Sequence, residues 1–289
     1  MSKTVQSPNY KDVLKDIESF YTDNSISAYC PWTCTTLEYK PLSVQQIRQF
    51  IELQINAQRE ENQILGVFDS LNHMNKILTD NCINDNKDLL NTLTVLDREA
   101  LMVQLRAFTK PQIEIADTHN EPIDLNLEET VATIKGKRPN KTLLNKSLDF
   151  KYDTGSINLK LSVPTLAKDN TINDFFKKKF KSKLNKGQKE LEKIIEKLLS
   201  EMYFVELCKY ITSITINKGD AESTVLLFDS SSVLGQNMQL LEKLPSNIIG
   251  AMSNYIADVK EYRDTFLSYT NSQKDQVSLE VDANIFAGI

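Results

Sequence analysis

Cys30-Pro-Trp-Thr-Cys34 sets two thiols around the only tryptophan of the chain. Such a pair can bind a metal or cycle between thiol and disulfide. A dithiol site of the thioredoxin kind has two intervening residues, not three, and precedes a helix in a βαβ unit. Tetrahedral zinc needs about four Cys or His ligands, and no second Cys or His pair completes the set. The competing reading is a tight turn before a strand, with Trp32 packed on the core or on a partner; the missing ligands favour it.

His73 and His119 are the only histidines. The first falls on the polar edge of a helical stripe and the second in a turn. Neither neighbours a Ser or Cys nucleophile in a recognisable motif, although a triad can assemble from distant segments. The run Asp80-Asn-Cys-Ile-Asn-Asp-Asn-Lys-Asp88 offers carboxylates to calcium. It lacks the sixth-position glycine and terminal Glu of an EF-hand, so a solvated loop is expected.

A lysine run is the stronger signal. Lys177, Lys178, Lys179, Lys181, Lys183, Lys186 and Lys189 are interleaved with Phe175, Phe176 and Phe180. Such a segment can grip nucleic acid or an acidic protein face. It can also be an exposed helix entry whose aromatics anchor it, with Glu190, Glu192 and Glu196 compensating further on. The chain is acidic as a whole, with a net charge of -5, which favours the helix entry or an acidic protein partner over nucleic acid. Trp32, Lys177, Lys178, Lys179 and Phe180 are the candidate partner-binding residues. No catalytic, cofactor-binding or metal-binding residue is assigned.

Composition narrows the class further. The 289 residues are 40% hydrophobic and 25% charged, which suits a folded chain with a sizeable core. Glycine occurs only 8 times and never in a cluster, so a phosphate-cradling loop is not expected. The first twenty residues lack the apolar run of a secretory signal, and nothing approaches the roughly 20 apolar residues that span a bilayer. Four cysteines in a chain of this length point to free thiols in a reducing cytosol.

The elements follow from periodicity. Residues 1–28 read as a polar arm with one amphipathic stretch, Val13 to Tyr21. Thr36 to Lys40 alternates as a strand, Pro41 ends it, and Ser43 can cap a helix with Val44, Ile47, Ile51 and Ile55 on one face. Ile64, Val67, Phe68, Leu71, Met74 and Leu78 form a second stripe. Thr94 to Asp97 fits a capping box ahead of a third helix. Ile113 to Ile115, Ile123 to Leu127 and Val131 to Ile134 read as a β-ribbon, and 135–146 as a basic connector. A second cycle repeats the order. Ile157, Leu159, Leu161 and Val163 alternate, Pro164 ends the strand, and a helix carries Leu191, Ile194, Ile195, Leu198, Met202, Val205 and Ile211. Another helix starts at Leu244-Pro245-Ser246, and a ribbon over 265–270 and 276–286 closes the chain. The shared order suggests an old duplication.

This order of motifs resembles the T4-type bacteriophage baseplate proteins, the group that includes the hub assembly protein of contractile-tailed phages. Leu37-Glu-Tyr-Lys-Pro-Leu-Ser-Val44 is similar to the family's strand, proline and helix opening. Met74 to Cys82 is similar to its helix ending in cysteine. Leu93 to Ala107 resembles its most recognisable segment, a turn followed by a helix ending in Leu-Arg-Ala. Ile123 to Leu127, Ile157 to Leu166 and the helix ending in Cys208-Lys-Tyr-Ile-Thr-Ser-Ile-Thr215 continue the order, so the likeness covers roughly residues 28–286. No single motif is specific; order and spacing carry the resemblance.

The repeated order of elements, with which the resemblance agrees, implies an α+β, mainly helical fold of two helical lobes. Each lobe is preceded by a short strand and followed by a β-ribbon. An N-terminal arm would span 1–28, the first lobe and ribbon 29–136, and the second lobe and ribbon 147–289. The resemblance also implies Cys-x-x-Cys pairs in the two ribbons, like zinc-ribbon knuckles. This sequence departs there, with Ala116-Asp-Thr-His119-Asn in one ribbon and Ser268-Tyr-Thr-Asn-Ser272 in the other. Ribbons without zinc or any other cofactor are therefore expected. The implied function is non-enzymatic: a baseplate hub protein, or a chaperone of hub assembly, bound to other baseplate or hub subunits. Such a protein acts in the host cytoplasm during assembly or in the tail baseplate of the virion, with no membrane or small-molecule substrate. The alternative is a nucleic-acid-binding accessory protein that uses residues 171–190.

Overall fold

A hairpin opens the described chain. The computed structural model describes residues 24–57, 63–83, 87–116, 119, 121–184, 191–218, 223–228, 231–282 and 285–286. Strands β1 (Ile26–Cys30) and β2 (Thr35–Tyr39) pair antiparallel, Cys30 opposite Thr35. Alternation puts Ala28, Cys30, Leu37 and Tyr39 on the buried face. Cys34 turns the corner at φ 55°. Strand β1 was not evident from sequence, because Tyr29 and Cys30 give little alternation until β2 pairs with them.

Helix α1 (Val44–Ala57) starts at Ser43, as its sequence suggests. The Ser43 N–H donates to Gln46 Oε1 at 2.9 Å and the Gln46 N–H donates to Ser43 Oγ at 3.2 Å, a reciprocal cap. The buried stripe differs from the expected one. Val44 and Ile55 are 79% and 55% exposed, and Ile47 and Ile51 only half-buried. Phe50 is buried instead. Its ring stacks on Phe286 at 4.2 Å and meets His73 edge-on at 4.5 Å. The larger aromatic area sets the rotation of the helix.

Helices α2 (Gln63–Asn81) and α3 (Lys87–Thr92) lead to α4 (Val95–Thr109). The capping box at Thr94 and Asp97 is formed. Then come the hairpin of β3 (Gln112–Ala116) and β4 (Pro122–Asn126), and α5 (Leu127–Gly136). Val131 to Ile134 is therefore helix, not ribbon. Asn126 accepts from the Glu128 N–H, Glu128 and Glu129 occupy the positive first turn, and Lys135 the negative last turn. Leu127, Thr130 and Ile134 then face inward at helical spacing.

The second half is built on an antiparallel sheet in the order β5 (Lys146–Tyr152), β6 (Gly155–Leu161), β7 (Ile211–Asn217) and β8 (Thr224–Leu227). Strand β6 alternates as its sequence suggests. Strand β5 begins where the expected connector ends, and both β5 and β8 fall where no element is expected. The β5–β6 turn needs glycine at 155, with φ 150°; a Cβ there would lie 2.0 Å from the Asn217 carbonyl oxygen. Helix α6 (Leu166–Leu184) precedes α7 (Leu191–Tyr210). Ile211 belongs to β7 and does not extend α7. The run Ile-Thr-Ser-Ile-Thr-Ile is β-branched at five of its six positions and pairs with β6. Helices α8 (Ser231–Leu241) and α9 (Ser246–Asp264) and the short ribbon β9 (Ser268–Thr270) and β10 (Gln276–Ser278) complete the chain.

The architecture is α+β and mainly helical. The halves meet at the starts of α4 and α6. Thr94 bridges Thr165, Val95 N–H donates to the Pro164 carbonyl at 3.1 Å, and Leu166 N–H to the Leu93 carbonyl at 2.7 Å. One cluster of buried apolar residues runs from Ala28 to Phe286. Among the described residues no helix is long and apolar enough to cross a membrane.

Candidate functional site

Helix α4 lies at the centre of the fold. Eleven of its residues are buried, Asp97, Arg98, Gln104 and Arg106 among them. Buried polar side chains are costly unless each has a partner, and each of these four holds a different element.

Asp97 holds the Cys-x-x-x-Cys turn. Its Oδ1 accepts from the Trp32 and Thr33 N–H groups at 2.9 and 3.3 Å, and its Oδ2 from the Thr94 N–H and hydroxyl at 3.0 and 2.9 Å. Burial raises the Asp97 carboxyl above its ordinary value, and these donors offset part of that rise. Gln104 acts as a short extra strand beside β1: its Oε1 accepts from the Tyr29 N–H at 2.9 Å and its Nε2 donates to the Tyr29 carbonyl at 2.8 Å. The Arg106 Nε donates to the Ile285 carbonyl at 2.9 Å. On the next position round, the half-buried Glu99 pairs with Arg263 of α9, whose guanidinium also reaches Asp264, Ser278 and the Leu279 carbonyl.

Arg98 lines a cleft of about 230 Å³ among α2, α4, α6 and α7. Its Nη1 donates to Asp169 Oδ2 at 2.8 Å, and Lys209 meets Asp169 Oδ1 at 3.0 Å and Glu206 at 3.0 Å. Val67, Phe68, Val95, Met202 and Val205 add apolar walls. Burial pushes Asp169 up, but Arg98 and Lys209 outweigh it, so the carboxyl sits below its ordinary value. Burial pushes Lys209 down, but Glu206 and Asp169 outweigh it, so the ammonium sits above its own. Both shifts lock the charged forms at neutral pH. A general acid or base needs the opposite, a value drawn toward neutrality. The network is suited to clamping α4, α6 and α7.

The candidate partner contacts lie elsewhere. Trp32 is buried, with its ring edge-on to Tyr262 at 5.5 Å. Phe180 is buried behind Phe176, which packs on Phe68. Of the two places expected for Trp32, the core or a partner, the ring takes the core, and Phe180 is one of the aromatics that anchor the lysine-rich helix; both rings gain from that burial. Lys177 pairs with Asp69 of α2, and Lys179 with Glu201 of α7 at 2.9 Å. Lys178 and Lys181 are exposed. Lys186 and Lys189 lie outside the described residues.

Comparison with protein-family models, with curated proteins and with solved structures finds no match to this chain.

The remaining candidates stay apart. Cys30 is buried and Cys34 exposed, at opposite ends of one turn; burial pushes the Cys30 thiol above its ordinary value, away from reactivity. His73 Nε2 lies 3.1 Å from the Gln46 carbonyl, against Phe50. Among the described residues no group of three or more His, Cys, Asp or Glu side chains could hold a metal ion. Sequence reasoning missed the α4 network entirely. Its one signal was polar residues placed inside an otherwise apolar run, Leu93 to Ala107.

Proposed function

We propose that the protein works by holding other proteins together, as a hub component of a phage tail baseplate or as a chaperone of hub assembly. The observation that carries the binding role is apolar surface left open on separate elements. Val44 and Ile55 of α1, Val67 of α2, and Val225 and Leu227 of the edge strand β8 are all half or more exposed. Contiguous apolar surface is what marks a docking face, and Val225 and Leu227, two residues apart, share one face of the edge strand β8. The baseplate assignment rests on the ordered sequence resemblance. The β3–β4 and β9–β10 ribbons are read as zinc-ribbon-like units without metal, steadied by neighbours. The charge-locked cleft supports binding over catalysis. The nucleic-acid alternative is weakened because Lys177 and Lys179 spend their charge on Asp69 and Glu201.

Affinity purification of the full chain from phage-infected cells, with the co-purifying proteins identified by mass spectrometry, tests the reading. Recovery of tail baseplate proteins is expected; their absence would sink it. Mass spectrometry of purified particles separates a virion component, which is present, from an assembly factor, which is not.

A further inference from the structure

Two strand edges face one cleft. A cavity of about 510 Å³ lies between β4 with α5 on one side and β9 on the other. It touches Ile123, Asp124, Leu125 and Asn126 in succession. Successive side chains of a strand point to opposite faces, so a cavity touching four in a row lies along the strand's edge. The same holds for Ser268, Tyr269 and Thr270.

The backbone directions agree. The Leu127 N–H donates to the Pro111 carbonyl at 2.8 Å. Hydrogen-bonded pairs alternate along an antiparallel ladder, so in the printed register Leu125 and Ile123 bond toward β3 while Asp124 and Asn126 turn outward. The Leu279 N–H donates to the Leu267 carbonyl at 2.8 Å. By the same alternation Tyr269 bonds toward β10, while Ser268 and Thr270 turn outward. Among the described residues each hairpin is a sheet of two strands, so neither outer edge is paired with a further strand. Pro122 at the head of β4 shortens that edge to Asp124 and Asn126, a usual guard against indiscriminate pairing.

The charge of the cleft selects an occupant. Among the described residues its walls carry Asp124 and Glu129, both exposed, with hydroxyls from Thr130, Thr133, Ser268 and Thr270, and no Lys, Arg or His. We infer that the slot between β4 and β9 binds an extended, basic peptide segment of a partner protein by strand addition. Main-chain hydrogen bonds supply affinity, and Asp124 and Glu129 select lysine or arginine at alternate positions. This rests on the protein-binding reading above and names a place and a chemistry for it.

The test is panning of a randomised decapeptide display library on the full chain. Selected peptides are expected to carry Lys or Arg at alternate positions and no central proline. Their synthetic forms should bind about tenfold more weakly to the Asp124→Lys/Glu129→Lys variant and should slow amide exchange at Ser268 and Thr270. The neutral variant Asp124→Asn/Glu129→Gln, which keeps side-chain volume, gives the same direction if the charge reversal does not fold. No enrichment, enrichment without basic residues, or binding equal on wild type and both variants would overturn the inference. If tail proteins still co-purify from infected cells after such a result, the slot is removed and the protein-binding reading stands.

Discussion

Arg98 of α4 and Asp169 of α6 meet at 2.8 Å, both almost wholly buried, and they join the two halves of the sequence. Asp169 also carries Lys209 of α7. Removing one member of a buried ion network leaves the others desolvated and unpaired, which is costlier than the network is worth. Asp169→Asn is therefore expected to destabilise the protein by about 3–5 kcal/mol, read as a lower urea midpoint at unchanged slope. The triple replacement Arg98→Met, Asp169→Leu, Lys209→Met should recover most of that loss. If Asp169→Asn unfolds at the wild-type midpoint, the network does not clamp the helices.

Acid should weaken the fold in two stages. Burial lowers the His73 imidazole below its ordinary 6.5, against a smaller opposing effect from the Gln46 carbonyl. Its neutral form is favoured in the fold, so the unfolded chain binds the proton more readily. Stability from His73 is complete above 6.5 and is lost as pH falls below it. Asp169 is likewise below its ordinary 3.8. Its contribution is complete above 3.8 and is lost as pH falls further. Urea midpoints measured across the acid range should show both declines, and His73→Asn should abolish the first alone. A single decline, unchanged in that variant, would contradict the assignment.

Gln104 gives β1 a partner that its sequence does not supply. Gln104→Leu removes the acceptor for the Tyr29 N–H and the donor to the Tyr29 carbonyl. Two part-buried backbone groups are then left without the bonds they have in the fold. The expected cost is about 2 kcal/mol, with faster amide exchange at Tyr29. Gln104→Glu keeps the acceptor but sets a buried carboxylate oxygen against the Tyr29 and Ala100 carbonyls, so it should cost at least as much as Gln104→Leu. Exchange at Tyr29 as slow in Gln104→Leu as in the wild type would show that β1 does not depend on this contact.

The local features were legible and the long-range ones were not. The caps at Ser43 and Thr94 depend on residues three apart, so sequence shows them. The alternation of β6 and the start of α9 after Pro245 are equally local. Strand β5 is different: Leu148 and Phe150 acquire meaning only opposite Leu159 and Ile157. In α1 the stripe of Val44, Ile51 and Ile55 has the better helical period, yet Phe50 is what Phe286 covers, from the far end of the chain. Helix α4 is legible from its capping box, but its burial on all sides is not. Polar residues inside a helix ordinarily mark a solvated face, and here Asp97, Arg98, Gln104 and Arg106 are buried against distant segments. Asp169 looks like an ordinary charge in sequence, because Arg98 lies 71 residues before it and Lys209 falls on another helix.

The lysine run separates into two kinds of residue, and this distinguishes the two functional readings. Lys177 and Lys179 are spoken for by Asp69 and Glu201, whereas Lys178 faces solvent. If the run serves the fold, Lys178→Glu should change stability by no more than about 0.5 kcal/mol, as exposed sites away from special contacts do. Lys177→Glu and Lys179→Glu should each cost more, because each sets a carboxylate against the acid it replaces a partner for. If the run grips nucleic acid, the three should instead weaken binding alike, with a steep dependence on salt. Urea unfolding of the three single variants, beside titration of each with single- and double-stranded DNA at two salt concentrations, separates these outcomes. The pairing seen here leads to unequal losses of stability and no salt-dependent DNA binding. Equal stabilities with a shared loss of DNA affinity would reverse the order of the two readings.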